Sequence, residues 1–177
     1  MNQVMDAIKN RRSVRVYKNK PLSKDTIDSI LEAARYAPTA RNLQQLEYKV
    51  ITKKDLAQRI SDRITSLLKK NYPSIQLRNR SSLFYDAPLL IIITGPKDSM
   101  WTYSDAALAV QNVMLYATSI GLGSCFIEMA RFIDEDEELK RELHISADRK
   151  VAAAVICGYA DENPAEKEKK IALEFFD

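Results

Sequence analysis

The 177-residue sequence is poor in the residues that most directly announce a chemistry. It has two cysteines, Cys125 and Cys157, and one histidine, His144. Two thiols are too few for a disulfide framework and they lack metal-ligand spacing. A zinc site built on Cys and His is nearly excluded, since it takes three or four ligands, and a nucleophile–histidine triad would have to spend the only imidazole. His144 sits at a charged helix end and reads as a surface residue, and the two thiols read as small core residues. Glycine and proline are few, at four and six residues, and no G-x-G-x-x-G stretch supports a Rossmann reading. The longest apolar run, residues 88–94, falls far short of the ~20 residues that span a bilayer. Residues 1–10 are charged and lack the apolar core of a signal peptide. The net charge is only +3, with acids and bases interspersed and no aromatic-interleaved basic stripe. The expectation is a cytoplasmic, reduced protein with no metal, no nucleic acid and no membrane among its partners.

What is present is an ordinary globular composition, 46% hydrophobic and 29% charged, with no repeats and no linker. It reads as one α+β domain over residues 1–177. Val4, Met5 and Ile8 recur at helical spacing and predict a helix over residues 3–11. Ser23 is a good N-cap for a second helix, with Ile27, Ile30, Leu31 and Ala34 as its apolar stripe and Pro38 as its stop. Residues 46–52 alternate, with Leu46, Tyr48 and Val50 on one face of a half-buried strand. Helical spacing returns over residues 53–70, residues 75–86 are ambiguous, and residues 88–95 predict a strand buried on both faces. The segment 103–120 is apolar nearly all round, which places it at the centre of the fold or in a subunit interface. A solvated helix over 134–143 and a buried strand over 151–159 follow. The charged tail ends in Leu173, Phe175 and Phe176, which should bury on a partner subunit or on their own domain.

Three segments are candidates for chemistry. Arg11-Arg12-Ser13-Val14-Arg15 suits a phosphate, because guanidinium forks bind its oxygens bidentately and the hydroxyl adds a donor. The same run also suits a solvated helix end that complements the helix dipole. Residues 37–44 offer Asn42 and Gln44, amides able to donate and accept along a flavin pyrimidine edge, or simply turn chemistry. Residues 121–128 could bring backbone N–H groups close to a ligand ring, or could be a glycine helix stop followed by a strand. Lys167, Lys169 and Lys170 could reach a phosphate or form a solvated run.

In order along the chain these segments resemble the nitroreductase family of FMN enzymes. The resemblance is carried by the Arg-Arg-Ser-x-Arg run, then Ala-Pro-Thr-Ala-Arg-Asn-x-Gln, then a long Ala-rich helix leading into Gly-Leu-Gly-Ser-Cys. It ends in Gly158-Tyr159-Ala160-Asp161-Glu162 and a lysine-rich tail. It implies a central, mostly antiparallel sheet flanked by helices, in an intertwined homodimer with FMN at the subunit interface. Arg11, Arg12 and Ser13 match the phosphate site, completed by Lys167 and Lys169. Arg15 matches the basic position at the N1–C2 edge of the ring, where a cation stabilises negative charge. Pro38, Thr39, Asn42 and Gln44 match the stretch contributed by the second subunit. Phe126, Ile127 and Glu128 match the segment along one ring face, with the Glu128 N–H near flavin N5. The implied activity is a ping-pong transfer of hydride from NAD(P)H through the flavin to a nitroaromatic, a quinone, flavin itself or an activated alkene. The same residues would also serve a flavin-binding sensor or store without turnover. Gln45-Leu46, Met129 and Ala160 depart from the common family residues. Any lid over the flavin must come from residues 71–103, where Trp101 and Tyr103 are candidates for a substrate channel.

Overall fold

The computed structural model describes residues 2–76 and 81–176. The first helix, α1 (Gln3–Asn10), is capped by Asn2, whose Oδ1 accepts the Val4 and Met5 N–H groups at 3.0 and 3.3 Å. Helix α2 (Lys24–Arg35) starts on Ser23 as the sequence predicts, the hydroxyl accepting the Thr26 N–H. It is followed by β1 (Glu47–Ile51), α3 (Lys54–Asn71), β2 (Leu89–Pro96) and α4 (Thr102–Ser119). The chain closes with β3 (Gly123–Phe126), a 3₁₀ segment (Glu128–Glu135), α5 (Glu137–Glu142) and β4 (Arg149–Gly158). Gly121 ends α4 at φ 76°, which lets the Leu122 N–H turn back onto the Ala117 carbonyl at 2.8 Å.

The four strands form one sheet in the order β1-β2-β4-β3, and every neighbouring pair is antiparallel. Period-2 alternation splits β2 between two cores. Leu89, Ile91 and Ile93 pack beneath α2 and α4, while Leu90 and Ile92 pack beneath α3 and the 3₁₀ segment. Burial on both faces explains the uninterrupted apolar run of β2. Among the described residues no helix is long and apolar enough to cross a membrane.

Four expectations change on contact with the structure. Val50 is 39% exposed, because β1 is an edge strand whose cover on that face ends with Leu46 and Tyr48; the oppositely directed Ile51 is the buried residue. The helix expected over 134–143 is broken at Asp136, which is extended at φ −126° and caps α5 instead. A side chain that offers the backbone an acceptor at a helix start competes with continuation of the preceding turn. That surface is not wholly solvated either, since Lys140 is buried with its ammonium on Glu137 at 3.1 Å. A short turn over residues 97–101, held by the Lys97 N–H on the Asp148 carbonyl, joins β2 directly to α4. Within the stretch proposed for a lid, residues 72–88 form the long connection, and residues 77–80 in it lie outside the described residues.

The tail does not return to its own core. Phe175 and Phe176 are 83% and 88% exposed in the single chain. Val4, Met5 and Ile8 on α1 and Leu108 on α4 also face outward.

Asp136 ties α5 to α3. Its carboxylate accepts the Glu138 and Leu139 N–H groups, both at 3.1 Å, and pairs with Arg63 at 2.7 Å. Partial desolvation raises its pKa, but the Arg63 pair and the two N–H bonds outweigh that and hold it below the usual carboxylate range. An acid depressed in the folded state contributes stability above its unfolded pKa and loses it as pH falls through the folded value. Asp136→Ala should therefore cost about 1–2 kcal/mol at neutral pH, with the deficit shrinking below about pH 4. Urea unfolding of both proteins at pH 7 and pH 3 checks this; an unchanged deficit at pH 3 would contradict it.

Candidate functional site

The basic run leaves α1 at Arg11 and becomes extended, at φ −57° and ψ 127°. It then lies along the outer side of β3. The Val14 N–H donates to the Ser124 carbonyl at 3.0 Å, and Ser13 bridges Ser124 in parallel. Further on, the segment meets the start of the tail: Lys18 N–H donates to the Tyr159 carbonyl and Asp161 N–H to the Val16 carbonyl, both at 2.9 Å. Arg11, Arg12, Ser13 and Arg15 are each half-buried. The run is thus a docked ribbon and not a solvated helix end.

Small residues make this docking possible. A Cβ on Gly123 would stand 2.8 Å from the Val14 Cβ, and one on Gly158 would stand 2.5 Å from the Pro88 ring and 3.0 Å from the Tyr17 ring. The Tyr17 hydroxyl donates to the Val14 carbonyl at 2.7 Å. Its pKa is raised chiefly by burial, then by Cys125, Cys157 and Glu162, with Arg15 opposing. Arg12 donates to the Arg11 carbonyl at 3.1 Å and pairs with Glu166 of the tail at 3.5 Å. Ser124 Oγ is buried and has no hydrogen-bond partner among the described residues, an uncommon state for a native hydroxyl.

Arg15 lines a cavity of about 450 Å³ together with Phe126, Ile127 and Glu128, and with Thr65 and Lys69 of α3 on the far side. This volume lies within the range of small-molecule sites. Glu128 opens the 3₁₀ segment, a position whose N–H has no intrahelical acceptor. Its carboxylate is turned onto Arg131 at 2.6 Å. The Arg131 guanidinium lies over the Tyr103 ring at 4.5 Å, and the Lys150 ammonium lies over the same ring at 4.4 Å. Tyr103 thus touches the rim of the site through Arg131, whereas neither Tyr103 nor Trp101 lines the cavity.

Pro38, Thr39, Asn42 and Gln44 lie elsewhere. Thr39 Oγ1 accepts the Gln44 N–H at 3.1 Å, and the Gln44 amide donates to Asn42 Oδ1 at 2.8 Å. Arg41, Asn42 and Gln44 all have positive φ, between 52° and 54°, so the loop is sharply coiled and presents its amides outward. Ala40 N–H is held by Asp105 of α4 at 3.1 Å, and Arg149 holds the loop exit through the Gln45 carbonyl. This loop leads into β1, while the basic run lies on β3. The strands stand at opposite edges of the sheet, three spacings or about 14 Å apart. One chain therefore does not bring the two sets together. Lys167 and Lys169 are exposed on the irregular tail, near but not against the basic run.

Glu162, Arg131 and Arg149 hold the site together and no sequence signal singled them out. Glu162 stood in the Gly-Tyr-Ala-Asp-Glu motif only as a strand end; its partner is Arg15, 147 positions away.

Comparison with known proteins supplies independent information. A family model described as the nitroreductase family matches residues 8–159. A nitroreductase from Bacteroides fragilis, solved with bound FMN, superposes with a TM-score of 0.89 at 28% identity, covering 100% of both chains. A nitrobenzene nitroreductase of Ectopseudomonas oleovorans is 26% identical over 94% of this chain and 91% of its own length. An NADPH-dependent FMN reductase of Bacillus subtilis is 30% identical over 72% of this chain and 54% of its own.

The close approach at Gly123 is testable without any ligand. Gly123→Ala should destabilise the protein by about 1–3 kcal/mol and accelerate hydrogen exchange at the Val14 amide. Gly121→Ala, at positive φ but with nothing within 4 Å of the new methyl, should cost about 1 kcal/mol and leave Val14 protected. Equal exchange at Val14 in both variants would show that the ribbon does not depend on this contact.

Proposed function

Because this chain belongs to the nitroreductase family, we propose that it is an FMN-dependent oxidoreductase. It takes hydride from NAD(P)H and passes it to a nitroaromatic, quinone or similar acceptor in a ping-pong cycle. One observation carries the reading: the ribbon of residues 11–15 is docked so that guanidiniums, a serine hydroxyl and the cavity beside Phe126 meet at one sheet edge. The FMN bound by the Bacteroides fragilis relative, the nitrobenzene acceptor of the Ectopseudomonas relative and the NADPH of the Bacillus relative support it.

The residues fit the group. Ser124 Oγ is a buried hydroxyl without a hydrogen-bond partner among the described residues, across the Ser13–Ser124 bridge from the guanidiniums. Arg11, Arg12 and Ser13, joined by Lys167 and Lys169, would hold the phosphate through charge-assisted bonds. Phe126, Ile127 and Glu128 would bound one ring face. Bound FMN supplies hydride acceptance and release at N5. Arg15 would place a cation at the pyrimidine edge, in a partly desolvated setting where it acts more strongly on negative charge than in water. The Glu128 carboxylate, spent on Arg131, adds little net negative charge to that edge.

The site calls for a second copy of the chain. Pro38, Thr39, Asn42 and Gln44 sit at the far sheet edge, so a two-fold partner would bring its own loop to this chain's ribbon. The outward apolar residues of α1 and α4, with Ile171, Leu173, Phe175 and Phe176 of the tail, provide the surface such a partner would cover.

Purified protein should carry or take up FMN, and anaerobic NAD(P)H should bleach its flavin absorbance. A colourless protein that gains no thermal stability from FMN overturns the reading. Bound flavin that NAD(P)H leaves unbleached makes it a binding module instead. Arg11→Ala and Asn42→Ala should each lower activity at least tenfold. Mixing the two inactive variants under conditions of subunit exchange should restore part of it, because a mixed dimer holds one unaltered site. No recovery despite exchange would place both residues in the same site of one chain.

A further inference from the structure

The acid Glu162 has no place in the proposed flavin chemistry, yet it sits against the cation that does. Its Oε1 accepts the N–H of Arg15 and, at 3.0 Å, the N–H of Val16. Two successive amides converging on one carboxylate oxygen hold the local backbone direction more tightly than either bond alone. Hydrogen bonds to a charged acceptor are also about twice as strong as neutral ones. The contact spans nearly the whole chain, from the tail to the ribbon. It is flanked by the Asp161 N–H bond to the Val16 carbonyl and by the Tyr17 bridge to Ala160. Glu162 is half-buried, and its charge is felt by the half-buried Tyr17 phenol. Arg15, whose backbone is fixed there, lines the 450 Å³ cavity, and its guanidinium donates to the Ser13 carbonyl at 3.3 Å.

We propose that Glu162 is a positioning residue: its carboxylate clamps the Arg15 and Val16 amides and so aims the Arg15 guanidinium at the cavity. This rests on the flavin reading for its functional consequence but not for the clamp itself. The two roles of the carboxylate separate by substitution. As an acceptor it orients Arg15. As a charge it offsets part of the positive field that Arg15 would direct at a bound ring. A glutamine keeps the acceptor oxygen and removes the charge; an alanine removes both.

Wild type, Glu162→Gln and Glu162→Ala are compared by two readouts. Without flavin, hydrogen exchange at the Arg15 and Val16 amides should stay slow in wild type and Glu162→Gln and become fast in Glu162→Ala. With FMN, Glu162→Ala should bind about tenfold more weakly, whereas Glu162→Gln should bind within about threefold of wild type. The Glu162→Gln flavin should also have a higher midpoint potential, because a negative charge near the ring is gone. Glu162→Ala matching wild type in both exchange and affinity overturns the proposal. So does a Glu162→Gln protein that loses FMN as fully as Glu162→Ala while its amides stay protected, since the residue would then act by charge alone. If Glu162→Ala does not fold, the slow exchange and raised potential of Glu162→Gln decide the matter. If wild type binds no FMN, the flavin reading falls and the exchange experiment still judges the clamp.

Discussion

The docking of residues 13–18 against β3 and the start of the tail is the constraint on which the rest of the site depends. It is backbone pairing, through Val14 to Ser124, Lys18 to Tyr159 and Asp161 to Val16, and it needs two glycines to happen. At Gly123 and Gly158 any side chain would collide with Val14, or with Pro88 and Tyr17. Once docked, the ribbon has little freedom left, so three arginines that would repel one another in a flexible segment are held with known relative directions. Loop-borne functional groups gain precision when a rigid scaffold fixes their backbone. Here the scaffold is the edge of a sheet whose interior is fully buried on both faces.

The same sheet keeps the Asn42 loop and the Arg11 ribbon of one chain apart. With β1 at one edge and β3 at the other, β2 and β4 stand between the Asn42 loop and the Arg11 ribbon. Nothing inside the fold can shorten that separation, since Ile91, Ile93, Val155 and their neighbours fill the intervening layers. A compact single-chain site would require a different strand order. Under the flavin reading proposed above, an α+β fold that divides its candidate binding groups between two sheet edges needs a second copy of the chain. The tail, tied to the ribbon through Asp161, Glu162 and Glu166 and then apolar and exposed at Ile171, Leu173, Phe175 and Phe176, agrees with that.

Much of this was legible in the sequence, for identifiable reasons. Long periodic segments gave up their element type: α2 with its Ser23 cap, α3, α4 and the doubly buried β2 all lie where spacing placed them. Short-range competition was not legible. Asp136 looks like any acid in a polar helix until Arg63 and the α5 amides claim its carboxylate. Edge position was equally hidden, because Val50 alternates correctly and only the strand order shows that its face is uncovered. For the candidate site, the motifs marked Arg15, Phe126, Ile127 and Glu128, which line the cavity. They passed over the residues that hold those in place, Glu162, Arg131 and Arg149, since a positioning contact depends on three-dimensional neighbours and leaves no local pattern.

The distribution of charge at the ribbon gives these positioning residues a common logic. Acids stand among the cations of the ribbon and the cavity rim, and three of them are already engaged. Glu128 is bound to Arg131, Glu166 reaches Arg12 from an exposed tail, and Glu162 is occupied by two amides. The acids lower the mutual repulsion of the guanidiniums, which in a partly buried setting would otherwise be large. Glu166 contacts Arg12 through a largely exposed side chain, and exposed pairs of that kind are weak. A dianionic ligand group can therefore displace that one contact at small cost while the backbone that presents the arginines stays clamped. Preorganised cations with spare donors bind an anion more tightly than flexible ones, because their ordering is completed during folding and not at the moment of binding.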